Sequence, residues 1–288
     1  MRLLDLSLPP QVSPRRWLAE QAGTVVGFGA YEHLEGQFFH PQKYQLHLYV
    51  SPGVRNRGIG TSLYEQTLAS LRLANALQIR VWMREDREEG LRFLASRRFV
   101  AQMRTFHSAL DSAAFDLSRL EKYRRRLEKY GYQFQAFGDL ATDPERNRNT
   151  YDLYCEVMRD IPAPEPRQMP TLEEYEQKIL KSPELFYAYF LALHHGEYVG
   201  LCSLLPHGRA RHELYADTLG VRRAYRGRGI AQALSYRGIE YAKSHGYSVI
   251  SADSFVENQR INALLENLGF GNKTVWTLFS KSLNNPSS

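Results

Sequence analysis

The sequence predicts an α/β protein in which two similar domains follow one another along the chain. A strand, a basic loop and a helix occur in this order at 50–60 and again at 221–231, with the sequences VSPGVRNRGIG and VRRAYRGRGIA. The two loops lie 171 positions apart, and so do Phe99 and Phe270, each of which ends a short helical pattern before a final strand. Several matches at one fixed spacing indicate an internal repeat.

The elements of the first half follow from local patterns. Residues 1–13 contain two adjacent prolines and little periodicity, so they are predicted to be irregular. Apolar runs at 17–20 and 25–31 flank the turn residues 21–24, which is typical of a β-hairpin. The remaining elements of this half are predicted as a strand at 45–50, a helix after the first loop, a strand at 79–83, a short helix at 90–96 and a strand at 99–107.

The segment 117–130, LSRLEKYRRRLEKY, is predicted to be an amphipathic helix. Its apolar stripe consists of Leu117, Leu120, Tyr123 and Leu127. A basic helix is a candidate for binding nucleic acid or a membrane surface, but the interleaved glutamates and lysines favour a solvated helix between two domains. We therefore predict that residues 117–131 are a helical linker.

The second half opens with a longer series of elements. Asp143 and Pro144 are the N-cap and first residue of a predicted helix, which the prolines of the segment 160–166 end. Thr171 and Glu174 form a capping box for the next helix. The other predicted elements are strands at 133–137, 185–193, 198–205, 215–221, 248–252 and 274–279, and helices after the second loop and at 258–267.

These elements divide the chain into an N-terminal domain at 1–116, the linker at 117–131 and a C-terminal domain at 132–288. A strand and two helices precede the hairpin of the second copy, and little precedes that of the first. The N-terminal domain is therefore predicted to lack the initial strand and helices, either because it has lost them or because the chain begins late.

Composition limits the class of protein. A hydrophobic content of 43% with 12% aromatic residues supports two sizeable cores and argues against disorder. The net charge of +6 is concentrated in the two loops and one helix, where an anionic ligand is sufficient explanation. Cys155 and Cys202 give neither a disulfide framework nor metal-ligand spacing. Because no apolar run approaches a membrane span and no signal-peptide pattern is present, we predict a cytoplasmic protein without a membrane or metal partner.

The second loop has the composition of an anion-binding site. Gly227 and Gly229 permit positive φ and a close approach of the backbone, so that amide groups point into one concavity at a helix N-terminus. Arg226 and Arg228 add positive charge, which favours phosphate oxygens. Many strand-to-helix turns carry glycines for packing alone, but the second copy of the pattern favours a pyrophosphate site.

With these motifs in view, both halves resemble the GNAT acyltransferase superfamily. The resemblance rests on the loop patterns RNRGIG at 55–60 and RGRGIA at 226–231, each after a strand that ends in valine. Asn258 and the sequence LGF at 268–270 support it in the second copy. The resemblance implies two GNAT-like domains in tandem, each a mixed, twisted sheet flanked by helices.

The resemblance also implies acetyl-CoA as co-substrate, with its pyrophosphate on the loop and its pantetheine arm along the preceding strand. The residues that it implies for CoA binding are Leu219, Val221, Arg226, Gly227, Arg228, Gly229, Ile230, Ala231 and Asn258 in the second copy, and Val50, Arg55, Arg57, Gly58, Ile59 and Gly60 in the first.

The strand before the second loop carries the candidate catalytic residues. Alternation places Tyr215, Asp217, Leu219 and Val221 on one face, and the resemblance implies a basic carboxylate near the first two. Asp217, directly or through a water molecule, is the candidate base for the amine proton. The alternative is that Asp217 only satisfies neighbouring backbone groups.

The two copies depart from the family pattern in different ways. Members of the family carry a tyrosine five residues before the last phenylalanine, where it protonates the leaving thiolate, but this chain has Leu94 and Leu265 there. The acid is therefore water or a residue from another element. The first copy also lacks a carboxylate on the matching strand face, with Leu46 opposite Asp217, and has Arg87 where the second has Asn258.

The sequence therefore predicts an N-acyltransferase that transfers an acetyl group from acetyl-CoA to a primary amine, with chemistry in the C-terminal copy. Neither copy shows a nucleophile beside a base, so direct attack by the amine is favoured. The segment 160–166 is a candidate lid whose Asp160 and Glu165 would attract a cationic amine. A non-catalytic acyl-CoA-binding or sensing protein is the alternative, and nucleic-acid binding through 117–130 is a weaker one. Small-molecule amines and peptide N-termini both remain open as acceptors.

Overall fold

The computed structural model describes residues 2–5, 15–33, 42–163, 169–177, 188–207 and 211–283. The strands of this part of the chain are β1 (Arg2–Asp5), β2 (Arg15–Gln21), β3 (Thr24–Glu32), β4 (Lys43–Val50), β5 (Gln78–Arg84), β6 (Val100–Asp111), β7 (Tyr132–Ala136), β8 (Tyr189–His194), β9 (Glu197–Pro206), β10 (Glu213–Val221), β11 (Val249–Phe255) and β12 (Gly271–Ser282). The helices are α1 (Ile59–Leu73), α2 (Glu88–Ala95), α3 (Ser118–Glu128), α4 (Arg146–Asp160), α5 (Leu172–Tyr175), α6 (Ile230–Ser244) and α7 (Gln259–Leu268).

The chain divides into two compact units that exchange their last strands. The first unit comprises the chain up to Arg104 together with the segment from Trp276 onward, and the second comprises Thr105–Ala163 and Met169–Val275. β6 therefore leaves the first unit after Arg104, and β12 returns to it at Trp276. Each unit completes its sheet with a strand from the other half of the sequence.

In the first unit the strand order is β1-β2-β3-β4-β5-β12. Neighbouring strands are antiparallel except for the parallel pair β4 and β5. The segment of β12 from Trp276 to Ser282 pairs along β5. Helix α1 packs against β2, β3 and β4, and the core between them includes Trp17, Leu63 and Ile79.

In the second unit the order is β7-β8-β9-β10-β11-β6, and the parallel pair is β10 and β11. Helix α6 covers one face of the sheet, where a Cβ atom on Gly200 would lie 3.0 Å from Leu234. Helix α4 covers the other face, where a Cβ atom on Gly220 would lie 2.1 Å from Val157. Gly200 thus lets α6 approach one face of the sheet closely, and Gly220 lets α4 approach the other.

The two units repeat one plan, which confirms the tandem α/β fold. Helices α1 and α6 begin and end 171 positions apart, as do β5 and β11, and β6 and β12. The packing repeats as well, because a Cβ atom on Gly27 would meet Leu63 and Ile59, which are the counterparts of Leu234 and Ile230 beside Gly200. Each unit has a mixed sheet flanked by helices.

The start of the first copy differs from the prediction. β1 pairs antiparallel with β2 in the way that β7 pairs with β8, so an initial strand is present where none was expected and the lead-in is not wholly irregular. Four residues are too few for a periodic signal, and backbone pairing decides their conformation. The connections differ, since residues 6–14 stand between β1 and β2, whereas α4 and α5 lie between β7 and β8.

The helix predicted as a linker is present, but it packs within the second unit. Leu127 of α3 is buried, and the ring of Tyr123 lies 6.0 Å from that of Tyr236 in α6. The side chain of Leu120 lies outside the described part of the chain. The compact units thus differ from the predicted limits 1–116 and 132–288, because α3 and most of β6 belong to the second unit and most of β12 belongs to the first. As limits of the sequence repeat, 1–116 and 132–288 stay a prediction.

Two predicted helix starts had different outcomes. Thr171 and Glu174 form the predicted capping box, with hydrogen bonds of 3.2 and 2.9 Å in the two directions. Helix α4, however, begins at Arg146 rather than after Asp143. Asp143 instead accepts hydrogen bonds from the hydroxyl group of Tyr198 at 2.7 Å and the amide of Glu145 at 2.9 Å, so a tertiary contact competes with the cap.

The strand exchange predicts which fragment of the second half can fold. A fragment of residues 105–275 contains the β6 segment that pairs with β11, whereas 132–288 lacks it and leaves β11 as an open edge. We expect 105–275 to unfold cooperatively and 132–288 to aggregate or to lose its cooperative transition. Thermal unfolding followed by circular dichroism checks this. Equal stability of the two fragments would contradict the exchange.

Candidate functional site

Strand β10 contains one extra residue beside β9. Ala216 pairs with Leu204 and Thr218 pairs with Ser203, which leaves Asp217 without a partner in the ladder. A bulge of this kind turns a side chain out of the regular alternation and frequently lies beside an active site. The first unit has no counterpart, since β4 pairs with β3 without a break in register.

Asp217 reaches solvent, and its carboxylate is held on one side by two hydroxyl groups. Its Oδ2 atom accepts hydrogen bonds from Thr218 Oγ1 at 2.9 Å and from Ser203 Oγ at 3.0 Å. The protein atoms that crowd the carboxylate raise its pKa above the ordinary value of aspartate, and the two hydrogen bonds partly oppose this rise. Within the described residues, Oδ1 has no hydrogen-bond partner, so the carboxylate has an open acceptor atom.

The bulge corrects the predicted strand face. Leu219 and Val221 pack into the core beneath α6, whereas Gly220 faces α4. Tyr215 and Asp217 lie on the α4 face, because the bulge shifts the alternation by one position at Asp217. The prediction that all four odd-numbered residues share one face is therefore wrong from Leu219 onward.

The loop after β10 has the backbone conformation that its glycines predict. Gly227 and Gly229 have φ values of +75° and +86°, and Gly229 is the N-cap of α6 without a side-chain cap. The amide groups that open α6 have no carbonyl partners within the helix, and the helix dipole is positive there. Gly58 has a φ of +83° before α1, and no atom lies within 4 Å of a Cβ built on Gly58 or Gly227. Both loops therefore leave space in front of a glycine for the predicted anion.

The arginine that begins each loop pattern ties the loop to the strand before it. Arg226 Nε donates a hydrogen bond to the carbonyl of Val221 at 2.9 Å, and Arg55 Nε donates to that of Val50 at 3.0 Å. Arg55 also pairs with Glu89 at 2.9 Å. These contacts fix the curvature of the loop. They occupy much of the donor capacity that the sequence analysis assigned to phosphate, so direct phosphate binding by Arg226 and Arg55 stays a prediction.

Asp160, at the end of α4, accepts hydrogen bonds from two loop arginines. Arg223 Nε lies 3.0 and 3.1 Å from the two carboxylate oxygens, and Arg226 pairs with the same carboxylate. The hydrogen bonds from Arg223 and then Arg226 lower the pKa of Asp160 to about 2. The expectation that Asp160 attracts a cationic amine is therefore wrong, because its charge is already neutralised. Glu165, the other acidic residue of the predicted lid, lies outside the described residues.

The remaining predicted loop residues contribute in different ways. Arg228 is exposed and donates to the hydroxyl of Tyr132 at 3.1 Å and to the carbonyl of Ala224 at 3.0 Å. The side chain of Ile230 is buried, as is that of Ile59 in the first loop, so both can serve a ligand only through the backbone. No contact of Arg57 bears on its role, which stays a prediction.

Helix α3 forms one wall beside the start of α6, which sequence reasoning missed. A Cβ atom on Gly229 would lie 2.9 Å from the ring of Tyr123. The apolar stripe of the helix signalled burial, but only the tertiary structure shows which surface it covers.

A hydrogen-bonded group next to Asp217 was also missed. Asp253 of β11 accepts a hydrogen bond from the hydroxyl of Tyr215 at 3.1 Å, and His107 Nδ1 lies 2.8 Å from its other carboxylate oxygen. Burial, followed by the charge of Asp253, raises the pKa of Tyr215 well above its ordinary value. Tyr215 is therefore a hydroxyl group at neutral pH and a poor proton donor to a leaving thiolate. No sequence motif marks His107 or Asp253, since they belong to different repeats.

Tyr189, on the α4 side of the sheet, lies close enough to Asp217 that burial and, to a lesser extent, the charge of this carboxylate raise the pKa of its hydroxyl. Tyr189 pairs with Ser203 across β8 and β9, and its hydroxyl lies 2.9 Å from that of Tyr175 in α5. The rings of Tyr151 and Tyr154 lie 5.6 and 4.9 Å from that of Tyr175. Tyr189 thus connects this aromatic layer to the buried surroundings of Asp217.

Neither cysteine is placed as a nucleophile. Cys155 and Cys202 are buried, and burial raises the pKa of Cys202 to about 12. The thiols therefore stay protonated at neutral pH. Leu265, at the position of the expected tyrosine acid, is buried in the core.

Asn258 caps α7 by accepting a hydrogen bond from the amide of Ile261 at 3.3 Å. Its side chain thus has a structural role at the start of α7, and its contact with CoA stays a prediction.

Comparison with known proteins places both halves in one family. Residues 147–270 match the model described as the acetyltransferase (GNAT) family, and residues 13–99 match the model described as an acetyltransferase (GNAT) domain. Comparison with curated protein sequences gives no match.

Solved structures support the fold. A GCN5-related N-acetyltransferase from Sphaerobacter thermophilus is 19% identical, with a TM-score of 0.69 over 95% of this chain and 82% of that one. A tandem GNAT protein from the clavulanic acid biosynthesis pathway is 18% identical, with a TM-score of 0.68 over 98% of this chain and 86% of the other. At these identities the likeness shows a shared fold.

The described residues also bear on membrane and metal binding. In the described part of the chain, no helix has both the length and the apolar character needed to cross a bilayer. Among the same residues, no group of three or more histidine, cysteine or carboxylate side chains is arranged to hold a metal ion.

The ion pairs of Asp160 with Arg223 and Arg226 are predicted to stabilise the second loop in a pH-dependent way. Because its pKa is lowered in the folded state, its contribution to stability is present above the ordinary pKa of aspartate and is lost as the pH falls toward about 2. Asp160→Asn should lower the free energy of unfolding by about 1 kcal/mol at pH 7, the upper range for surface pairs, and by less at pH 3. Urea unfolding at the two pH values measures this.

Asp152→Asn is the matched control, since Asp152 lies on the same helix and, among the residues that the structure describes, forms an ion pair only with Arg148 one turn away. An equal effect of the two substitutions on the free energy of unfolding, or an Asp160 effect that does not change with pH, would contradict this pH-dependent stabilisation.

Proposed function

Since this chain belongs to the GNAT acetyltransferase family in both of its halves, whose members use acetyl-CoA, we propose that its second unit transfers an acetyl group from acetyl-CoA to a primary amine. The observation that carries the proposal is the accessible carboxylate of Asp217, which lies on a bulge of the strand that leads into the open, glycine-containing loop. A base beside a phosphate-binding loop is what acyl transfer to an amine requires.

The co-substrate would bind mainly through the backbone. The pyrophosphate would accept hydrogen bonds from the amides at Gly227–Ala231, where the helix dipole and the exposed guanidinium of Arg228 favour negative charge. The pantetheine arm would lie along β10, next to the backbone that the bulge removes from the ladder. Asn258, the N-cap of the helix that follows the adjacent strand β11, would complete the contact.

The reaction would be a direct attack. The amine nitrogen forms a bond to the thioester carbon as one N–H proton passes to Asp217, directly or through a water molecule. The carbon–sulfur bond then breaks, and the CoA thiolate takes a proton from solvent water. Three features favour this route over a covalent enzyme intermediate or a protein acid: both cysteines are buried thiols, Leu265 is in the core, and the Tyr215 proton is directed to Asp253. Positioning of the two substrates supplies much of the rate.

The first unit has neither a bulge in β4 nor a carboxylate at the position of Asp217, and we propose that it does not perform the chemistry. Its strand β4 is regular, and Leu46, which the sequence comparison places opposite Asp217, is buried. His47, next to it, pairs with Glu32 at 3.0 Å on an exposed surface. Its open loop suits the second candidate function, non-catalytic binding of acyl-CoA, through Val50, Arg55, Arg57, Gly58, Ile59 and Gly60.

Asp217→Asn should lower kcat by a factor of about 10² to 10⁴, the range for loss of a general base, and leave the affinity for acetyl-CoA unchanged. Asp217 can accept a proton only above its raised pKa, so the activity of the wild-type protein should fall as the pH decreases through that pKa. This acidic part of the pH–rate profile should disappear in the variant. Release of free CoA thiol across a panel of amines measures turnover.

The same substitution should not destabilise the fold, because a raised pKa means that burial disfavours the charged form. A lower melting temperature for Asp217→Asn, or an unchanged pH–rate profile, would show that the carboxylate is structural.

Matched glycine variants test the division of labour between the units. Gly58 and Gly229 have nearly equal φ values of +83° and +86°, so alanine introduces similar backbone strain at each. We expect Gly229→Ala to lose most acetyl-CoA affinity and turnover, and Gly58→Ala to keep most turnover. Calorimetry and the thiol assay measure these, after circular dichroism has verified folding, since Tyr123 lies beside Gly229. The reverse result would assign the chemistry to the first unit.

A further inference from the structure

His107, Asp253 and Tyr215 form a continuous hydrogen-bonded chain across three strands of the second unit. His107 on β6 and Asp253 on β11 are direct partners in the antiparallel ladder, and Nδ1 of the imidazole lies 2.8 Å from one carboxylate oxygen. The hydroxyl of Tyr215, on β10, donates to the other oxygen at 3.1 Å. Tyr215 lies two positions before Asp217 and on the same face of the sheet, so the chain ends beside the proposed base.

The chemistry of the carboxylate fixes the direction of each hydrogen bond. An ionised carboxylate only accepts, so both the imidazole N–H and the tyrosine O–H must donate to it. A tyrosine hydroxyl has one proton. Once that proton points at Asp253, the oxygen of Tyr215 can only accept hydrogen bonds from any ligand on the Asp217 side.

We propose that His107 and Asp253 are positioning residues, which hold the Tyr215 hydroxyl as a hydrogen-bond acceptor for the nitrogen of the acceptor substrate. With Tyr215 and Asp217 both accepting, the site selects a nucleophile that carries at least two N–H groups, as a primary amine does. This inference rests on the proposed function and names two further residues for it. Tyr215 is the group that touches the substrate, and His107 acts on the substrate only through Asp253.

The strand exchange places one of the two positioning residues, His107, in the second unit. His107 belongs to the first sequence repeat, and β6 carries it into the second unit. The positions equivalent to Asp253 and His107 in the first unit are Trp82 and Leu278, which are likewise direct partners across β5 and β12. The polar pair is thus present only in the unit with the bulge, and an apolar pair takes its place in the other.

The first experiment compares kinetic constants of the full chain. His107→Leu introduces the residue that the first unit has at this position, and His107→Asn keeps a side-chain N–H donor. We expect His107→Leu to raise the KM for the best amine of the panel about 3- to 10-fold, the loss of one ordinary hydrogen bond, with kcat and acetyl-CoA affinity little changed. His107→Asn should restore most of this loss. Equal losses in the two variants would overturn the proposal.

A double-variant cycle separates positioning from a general structural role. If His107 acts through Tyr215, then Tyr215→Phe should raise the KM for the amine by a similar factor, and adding His107→Leu to it should have no further effect. Additive effects of the two substitutions would mean that His107 acts independently, and the proposal would be wrong.

A second readout does not depend on turnover. Nitrogen-15 NMR of the histidine side chains should show His107 protonated at Nδ1, with the resonance identified by its absence in His107→Asn and changed in Asp253→Ala. A neutral ring protonated only at Nε2 would overturn the chain of hydrogen bonds. If the Nδ1 proton is present but wild-type protein acetylates no amine, the proposed function fails while the geometry stands. If turnover is found and the His107 variants are silent, the positioning role alone fails.

Discussion

The exchange of the last strands is the constraint on which the rest of the structure depends. Each sheet is completed by a strand that begins in the other unit, at positions 171 residues apart in the repeat. Without that strand, β5 in one unit and β11 in the other would present an open edge of unpaired amide and carbonyl groups. The covalent connection therefore makes the integrity of either sheet dependent on the other half of the sequence. It also allows a residue of the first repeat to stand beside the candidate site of the second.

One inserted residue distinguishes the strand that carries the candidate base from its counterpart in the first unit. The ladders of the two units match closely, down to the glycines that admit α1 and α6. Asp217 breaks this match, because it adds a residue to β10 that β4 does not contain. The bulge turns a carboxylate toward the α4 face, where Ser203 and Thr218 donate hydrogen bonds to it and burial raises its pKa. The raised pKa of this candidate base and the break in the ladder thus arise from the same local irregularity.

Two arginines of the second loop, Arg223 and Arg226, make hydrogen bonds and ion pairs within the protein. Arg226 joins the loop to the end of β10, and the single carboxylate of Asp160 pairs with both Arg226 and Arg223. The candidate anion site therefore consists of backbone amides, the helix dipole and Arg228. This explains why the pattern needs glycines at fixed places. The backbone must take positive φ values there, and the space in front of Gly227 must stay free of side chains.

The sequence by itself determined the tandem repeat, the α/β class, most elements and the two loops, because periodicity, capping and glycine placement act over a few neighbouring residues. It also pointed to Asp217 and Tyr215. It could not determine that Leu219 and Val221 lie on the opposite face, because a bulge is defined only by the strand beside it. For the same reason it gave no sign of His107 and Asp253, which are 146 positions apart, or of Tyr123 beside Gly229. The structure decided these, since cross-strand pairing and the exchange of β6 and β12 bring together residues that no local pattern connects.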